Sequence, residues 1–248
     1  MYRIAPLLLL VCPWCAWAQF EVPNPPHISA IHSPNSTIEL RWGKSKKNLR
    51  RAELLPSEPF VLTSHVNDLV EVTYPDETIV RQGPNTTVYY LPASNSVTVV
   101  AGSVLAKIPE KTEVIFRVPE VKGTDCILLT TVSKDGIKTF SLAGEFDFHG
   151  THVKEGEMYF QNALPDLQGP FLIDLAEVIA SSPLAIEFPK SPWIKASMEK
   201  SLKKQKWLKD MGMVESSHTA LHGSSPQVQW DKPLPPPHKK RKSVDDED

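Results

Sequence analysis

The sequence predicts a mainly β protein: an antiparallel β sandwich or roll of about ten short strands, followed by two α-helices and a disordered tail. Three observations carry this expectation. Between residues 56 and 160, apolar and polar positions alternate with period two, the pattern of a strand with one buried face. Turn residues punctuate that stretch at Pro75-Asp76, Gly83-Pro84-Asn85, Pro92, Gly102, Pro109, Pro119, Gly123 and Gly144, the spacing of an all-β domain. Beyond residue 160 the apolar spacing becomes helical, and beyond residue 214 apolar content falls away.

The first segment reads as a leader. Residues 1–18 combine Arg3, an apolar stretch from Ile4 to Val11, and Ala16-Trp17-Ala18 before Gln19, which reads as a signal peptide cleaved at Ala18-Gln19, with an uncleaved anchor as the alternative. Pro6 and Pro13 interrupt the apolar run, which is too short for a membrane span. The expected location is therefore the periplasm or the exterior. Cleavage removes Cys12 and Cys15 and leaves Cys126 as the one thiol, so no intramolecular disulfide is expected. Cys126 sits in the β-rich run TDCILLTTV, the setting of a core thiol rather than a nucleophile.

Residues 19–55 form a lead-in with Pro23, Pro25, Pro26 and Pro34, one strand at TIELRW (Thr37 to Trp42), and a basic loop with Lys44, Lys46, Lys47, Arg50 and Arg51. Within the β region, Val70, Val72 and Tyr74 fall on a core face while Glu71 and Thr73 point to water. Val114, Phe116 and Val118 oppose Glu113 and Arg117 in the same way. SVTVVA and SVLAKI read as two strands separated at Gly102, and Asp135-Gly136 as a type I′ hairpin turn. In the helical segment, 161–214, Phe171, Leu172, Leu175, Val178 and Ile179 make one apolar stripe. Ser191-Pro192 starts a second helix, which runs to about Met211 before Gly212. It carries Lys195, Lys200, Lys203, Lys204, Lys206 and Lys209, with Ile194, Met198, Leu202 and Trp207 among its apolar residues. Such a helix either packs on the β domain with solvated lysines or meets an anionic membrane surface or acidic partner. Residues 215–248, Pro-rich and charged, cannot supply a core and are expected to be disordered.

Chemistry is sparse. A net charge of −2 gives no overall field for nucleic acid, which is not expected as a partner. No G-x-S-x-G, H-E-x-x-H, P-loop or G-x-G-x-x-G is present, so no catalytic, cofactor-binding or metal residue is assigned and no enzyme is expected. His149 and His152 stand near Asp147, Glu155 and Glu157, the one cluster with metal-like residue types, but they straddle Gly150 without a zinc-like ligand spacing. His218 and His222 fall in the tail. The Asn35 and Asn85 sequons matter only in a glycosylating host.

Five stretches in order resemble the FecR-type periplasmic domain of bacteria: VEVTYPDETIVRQGPNTTVYY (Val70–Tyr90), AGSVLAKIPE (Ala101–Glu110), FRVPEVKGTDCILL (Phe116–Leu129), KTFSLAGEFDF (Lys138–Phe148) and VKEGEMYF (Val153–Phe160). The resemblance covers residues 56–160 and transfers no catalytic or ligand residue. Well-known members of that family join such a domain to a cytoplasmic segment acting on a sigma factor. Here the signal peptide leaves no cytoplasmic segment to expect. The resemblance therefore implies a non-catalytic exported protein engaged in envelope protein–protein interaction or signalling, with another envelope protein as partner. The alternative is a cell-envelope polysaccharide-binding module, for which Tyr89, Tyr90, Trp193 and Trp230 are the candidate aromatics. The Lys-rich helix, 192–211, is the candidate contact for polysaccharide or an anionic membrane surface.

Overall fold

β-Branched and aromatic residues at alternate positions make strands wherever both faces find cover. The computed structural model describes residues 25–32, 38–49, 53–112, 114–162, 167–188 and 192–212. The leader with Cys12 and Cys15, Arg50 and Arg51, the Asn35 sequon, Glu113, and the tail with His218, His222 and Trp230 lie outside the described residues, as do the side chains of Val118 and Trp193.

The strands are β1 (His27–His32), β2 (Glu39–Trp42), β3 (Ser45–Asn48), β4 (Phe60–Thr63), β5 (Leu69–Thr73), β6 (Ile79–Gln82), β7 (Thr87–Leu91) and β8 (Ser96–Ile108). They continue with β9 (Ile115–Val118), β10 (Glu120–Gly123), β11 (Cys126–Ser133), β12 (Gly136–Ala143), β13 (Phe146–Phe148), β14 (Thr151–Val153), β15 (Glu157–Asn162) and β16 (Leu167–Leu172). Three helices follow: α1 (Leu175–Ser181), α2 (Pro183–Ile186) and α3 (Pro192–Asp210). The protein is mainly β, as expected, but finer than the sequence suggested: among the described residues there are sixteen strands rather than about ten, and three helices rather than two.

Two sheets share β8. One runs β1-β5-β6-β8-β11-β12-β15-β16 and the other β3-β2-β4-β7-β8-β9-β10-β13-β14. The N-terminal half of β8 pairs with β7 and its C-terminal half with β6 and β11. Gly102 is thus the bend of one long strand, not a turn between two. It has φ +90°, and a Cβ there would lie 2.6 Å from the Thr86 Cα. Among the described strands every pairing is antiparallel except β8 with β9, a parallel contact that the antiparallel expectation lacked.

The described residues of the lead-in hold three strands instead of one, all built into the sheets. β1 pairs with β5, and β2 lies between β3 and β4. Lys46 and Lys47 therefore sit on an edge strand rather than in a loop, with Lys46 ion-paired to Glu39 at 2.5 Å and Lys47 paired to Glu53. Cations on a short edge strand discourage pairing with another chain. The β11–β12 hairpin stands where Asp135-Gly136 placed it, but Ser133 pairs with Gly136 across Lys134-Asp135. Gly136 alone carries positive φ there, +137°, so the turn is not type I′. Asp76, in the expected turn, makes an Asx turn by accepting from the Thr78 amide at 3.0 Å.

Two cores result. The first lies between the sheets and includes Ile28, Leu40, Phe60, Val70, Val72, Val80, Val104, Phe116, Leu128 and Phe148. The second lies on the outer face of the β1–β16 sheet, where Leu69, Ile79, Leu105, Leu129, Phe140 and Met158 meet Leu175, Val178, Leu184, Phe188, Ile194 and Met198. Phe171 and Leu172 belong to β16, opposite Met158 and Glu157, and not to the first helix. That helix begins at Leu175 because Asp174 caps it, accepting from the Ala176 and Glu177 amides. The second long helix is where its Pro start and Gly stop placed it.

Candidate functional site

Alternation along β5 and β6 puts Val70, Val72 and Val80 between the sheets and Glu71 and Arg81 on the outer face. The two are direct cross-strand partners in an antiparallel register. The sequence directed Glu71 and Thr73 to water; the helices cover that face instead, and Glu71 is only 7% exposed. A charge so buried needs a partner. Arg81, 1% exposed, donates from Nε to Glu71 Oε2 at 2.8 Å and from Nη1 to the Leu184 carbonyl at 2.8 Å. Ser29 donates to Glu71 Oε1 at 2.8 Å and accepts from Thr73 at 2.9 Å. Phe188 lies over the guanidinium, 4.5 Å from its Cζ, and meets the His32 ring edge-on. Burial pulls the Arg81 guanidinium below its ordinary value, and the Glu71 hydrogen bond opposes that pull.

Arg81 lines a groove of about 490 Å³ between α1–α2 and α3. Its walls are mainly apolar, with Ile179, Ala185, Met198 and Leu202 among them, and Lys195 and Glu199 are its charged α3 residues. Arg81 Nη2 is buried and has no hydrogen-bond partner among the described residues.

α3 holds its side of the groove by packing Ile194 and Met198 inward, one turn apart. Gln205 and Ser201 lock its C-terminal half. Gln205 accepts from the Leu175 amide at 2.9 Å and donates to the Ile173 carbonyl at 2.6 Å, while Ser201 donates to Glu155 at 2.7 Å. Lys204 pairs with Glu155 at 3.2 Å and Lys209 with Asp174 at 2.6 Å. Of the two arrangements the sequence left open, the helix does pack on the β domain. Trp207, named from the sequence among the apolar residues of this helix, is 57% exposed. It stands with Lys200, Lys203 and the 60% exposed Met211 on the outward face.

The other candidates disperse. His152 lies 3.0 Å from Glu145 and 3.5 Å from Asp147, whereas His149 reaches Glu120 at 4.0 Å. Glu155 serves Ser201, Lys204 and the Gly144 amide, and Glu157 accepts from the Lys154 amide. No metal-holding group of three forms among the described residues. Cys126 is buried, and burial pushes its thiol up to about 12, with Asp125 adding to the shift. Tyr90 is stacked on Phe60 at 4.8 Å in the inter-sheet core and offers no surface to a sugar, while Tyr89 is half-buried.

The Arg81–Glu71 pair and its groove were not foreseen. Their one sequence trace is a Glu and an Arg ten residues apart, at polar positions of two β runs joined by an Asx turn. Among the described residues no helix is long and apolar enough to cross a membrane.

No family model matches the chain, and no curated protein matches it. Two solved structures do, each of "a putative anti-sigma factor from Parabacteroides distasonis", both with 14% identity and a TM-score of 0.38. The matches cover 51% and 52% of this chain and 74% and 75% of those. A likeness of that size places the chain in no family.

Proposed function

We propose that the chain is a non-catalytic, FecR-like module of the bacterial envelope, exported by its leader, that works as an adaptor or signalling component by contact with another protein. The observation that carries this reading is the outward face of α3. Lys200, Lys203, Trp207 and Met211 share one stripe of the helix, exposed, while the opposite face is anchored by Ile194, Met198, Ser201 and Gln205. Lys200, Lys203 and Lys206 have no ion pair among the described residues. A large aromatic flanked by unspent cations on a rigid support has the composition of a protein contact: the ring supplies buried area and the lysines choose an acidic surface. At the β3 edge, pairing with another chain is the weaker route, because that strand is short and lysine-bearing.

Photo-crosslinking in native envelopes tests the reading. A crosslinker at position 203 should give an adduct with one defined protein, and Lys200→Glu with Trp207→Ala should abolish it. A crosslinker at the exposed Ile115, on the other sheet, is the control. Adducts with lipid or glycan only, or equal capture from position 115, would overturn the proposal.

A further inference from the structure

The outward face of α3 is as regularly spaced as its inward one. Ile194, Met198, Ser201 and Gln205 follow one another at intervals of four, three and four residues and turn toward the β domain. Ala196, Lys200, Lys203, Trp207 and Asp210 repeat that spacing half a turn away, and all five are exposed. Intervals averaging 3.5 residues draw a nearly straight line along a helix, here about 21 Å long. On one flank of the line Lys204 is taken by Glu155, and on the other Lys195 pairs with Glu199. Lys200 and Lys203, at its middle, have no ion pair among the described residues.

A narrow convex ridge limits what can seat on it. An extended strand adds to a sheet edge through backbone hydrogen bonds, and a helix offers none because its own turns use them. A second helix crossing at about 20° stays in contact over several turns, which is the packing that 3.5-residue seams make. Spacing favours the same occupant. Residues three or four apart on a helix stand about 5–6 Å from each other, so two carboxylates at that interval on a facing helix meet Lys200 and Lys203 together. A second copy of this chain is a poor match, since lysine would face lysine at the middle of the seam. We propose that the partner meets α3 with one amphipathic helix. It carries two carboxylates three or four residues apart opposite Lys200 and Lys203, an aliphatic residue for Trp207 and a cation for Asp210. This inference rests on the reading of the stripe as a protein contact and adds to it the form and charge order of the partner.

Fluorescently labelled alanine-based helical peptides are the probes, each with two Glu residues, a Leu and a Lys at the facing positions, made in both chain directions. Binding to the full chain is read by anisotropy at low ionic strength, where exposed charges are least screened. One direction should bind at least about tenfold more tightly than two controls. The first control has the same composition with those residues spread around the helix, and the second is broken by a central Pro. Lys200→Glu with Lys203→Glu should weaken binding about tenfold, and a peptide with Lys in place of both Glu residues should recover it on that variant. Equal binding of matched and control peptides, no binding in either direction, or a charge-reversed pair that does not recover would each overturn the proposal. The crosslinker at position 203 keeps the two failures apart. Capture of one defined protein without any preference among the peptides removes the helical partner alone, whereas capture of lipid or glycan only removes the protein contact beneath it.

Discussion

Replacing Arg81 with methionine tests whether the pair under the helices holds the helix layer to the sheet. The change leaves Glu71, with a side chain 9% exposed, without its 2.8 Å cation and takes the Nη1 donor from the Leu184 carbonyl. Breaking one side of a buried pair costs about 3–5 kcal/mol, because an uncompensated charge remains. The orphaned carbonyl adds about 1 kcal/mol. A methionine packed against Phe188 and the groove walls recovers about 1–2 kcal/mol. The expected loss is therefore about 2–5 kcal/mol. Glu71→Leu in the same chain removes the stranded charge, and the double variant should return to within about 1 kcal/mol of the parent. Urea unfolding followed by far-ultraviolet circular dichroism and tryptophan fluorescence measures the cycle, with an unchanged m-value as the check that the denatured state is comparable. A loss under about 1 kcal/mol for Arg81→Met, or a double variant as unstable as the single, would refute the reasoning.

Two further expectations follow from named contacts. Asp174 caps α1 and receives Lys209 of α3; the Lys209 hydrogen bond, helped by the capped amides against the pull of burial, holds its carboxyl below the usual range. A depressed carboxylate stabilises above its unfolded value of about 3.9 and loses that contribution as pH falls through the folded value. Asp174→Ala should therefore cost about 1–2 kcal/mol near neutral pH, with the gap to the parent closing below about pH 4 in pH-dependent unfolding. Cys126 should resist alkylation at pH 8 in the folded chain and react fully in denaturant, as read by peptide mass mapping. Because folding retains the thiol proton, its contribution to stability is present below about pH 8.5 and declines as pH rises toward the folded value.

Local patterns carried a large part of this protein. Period-two alternation, turn residues, the Asp76 turn, and the proline and glycine that bound α3 depend on neighbours a few residues apart, so the β class and the long helix were legible. The same local logic split β8 at Gly102, because a glycine that bends a strand reads like one that ends it. It also drew Phe171 and Leu172 into a helix whose start Asp174 sets three residues later.

The candidate site lay beyond that reach. Alternation alone established that Glu71 and Val72 face opposite ways, but whether the second face meets water or a helix depends on a segment far along the chain. Arg81 and Leu184, hydrogen-bonded at 2.8 Å, are 103 residues apart. The sharing of β8 by two sheets and its parallel contact with β9 were likewise set by what each strand edge met after collapse. The sequence by itself determined which residues alternate, where the chain turns and which helix is basic, since those follow from backbone sterics and side-chain period. Tertiary structure alone decided that a polar sheet face would be roofed by α1–α3, because burial is a property of what packs on a residue and not of the residue.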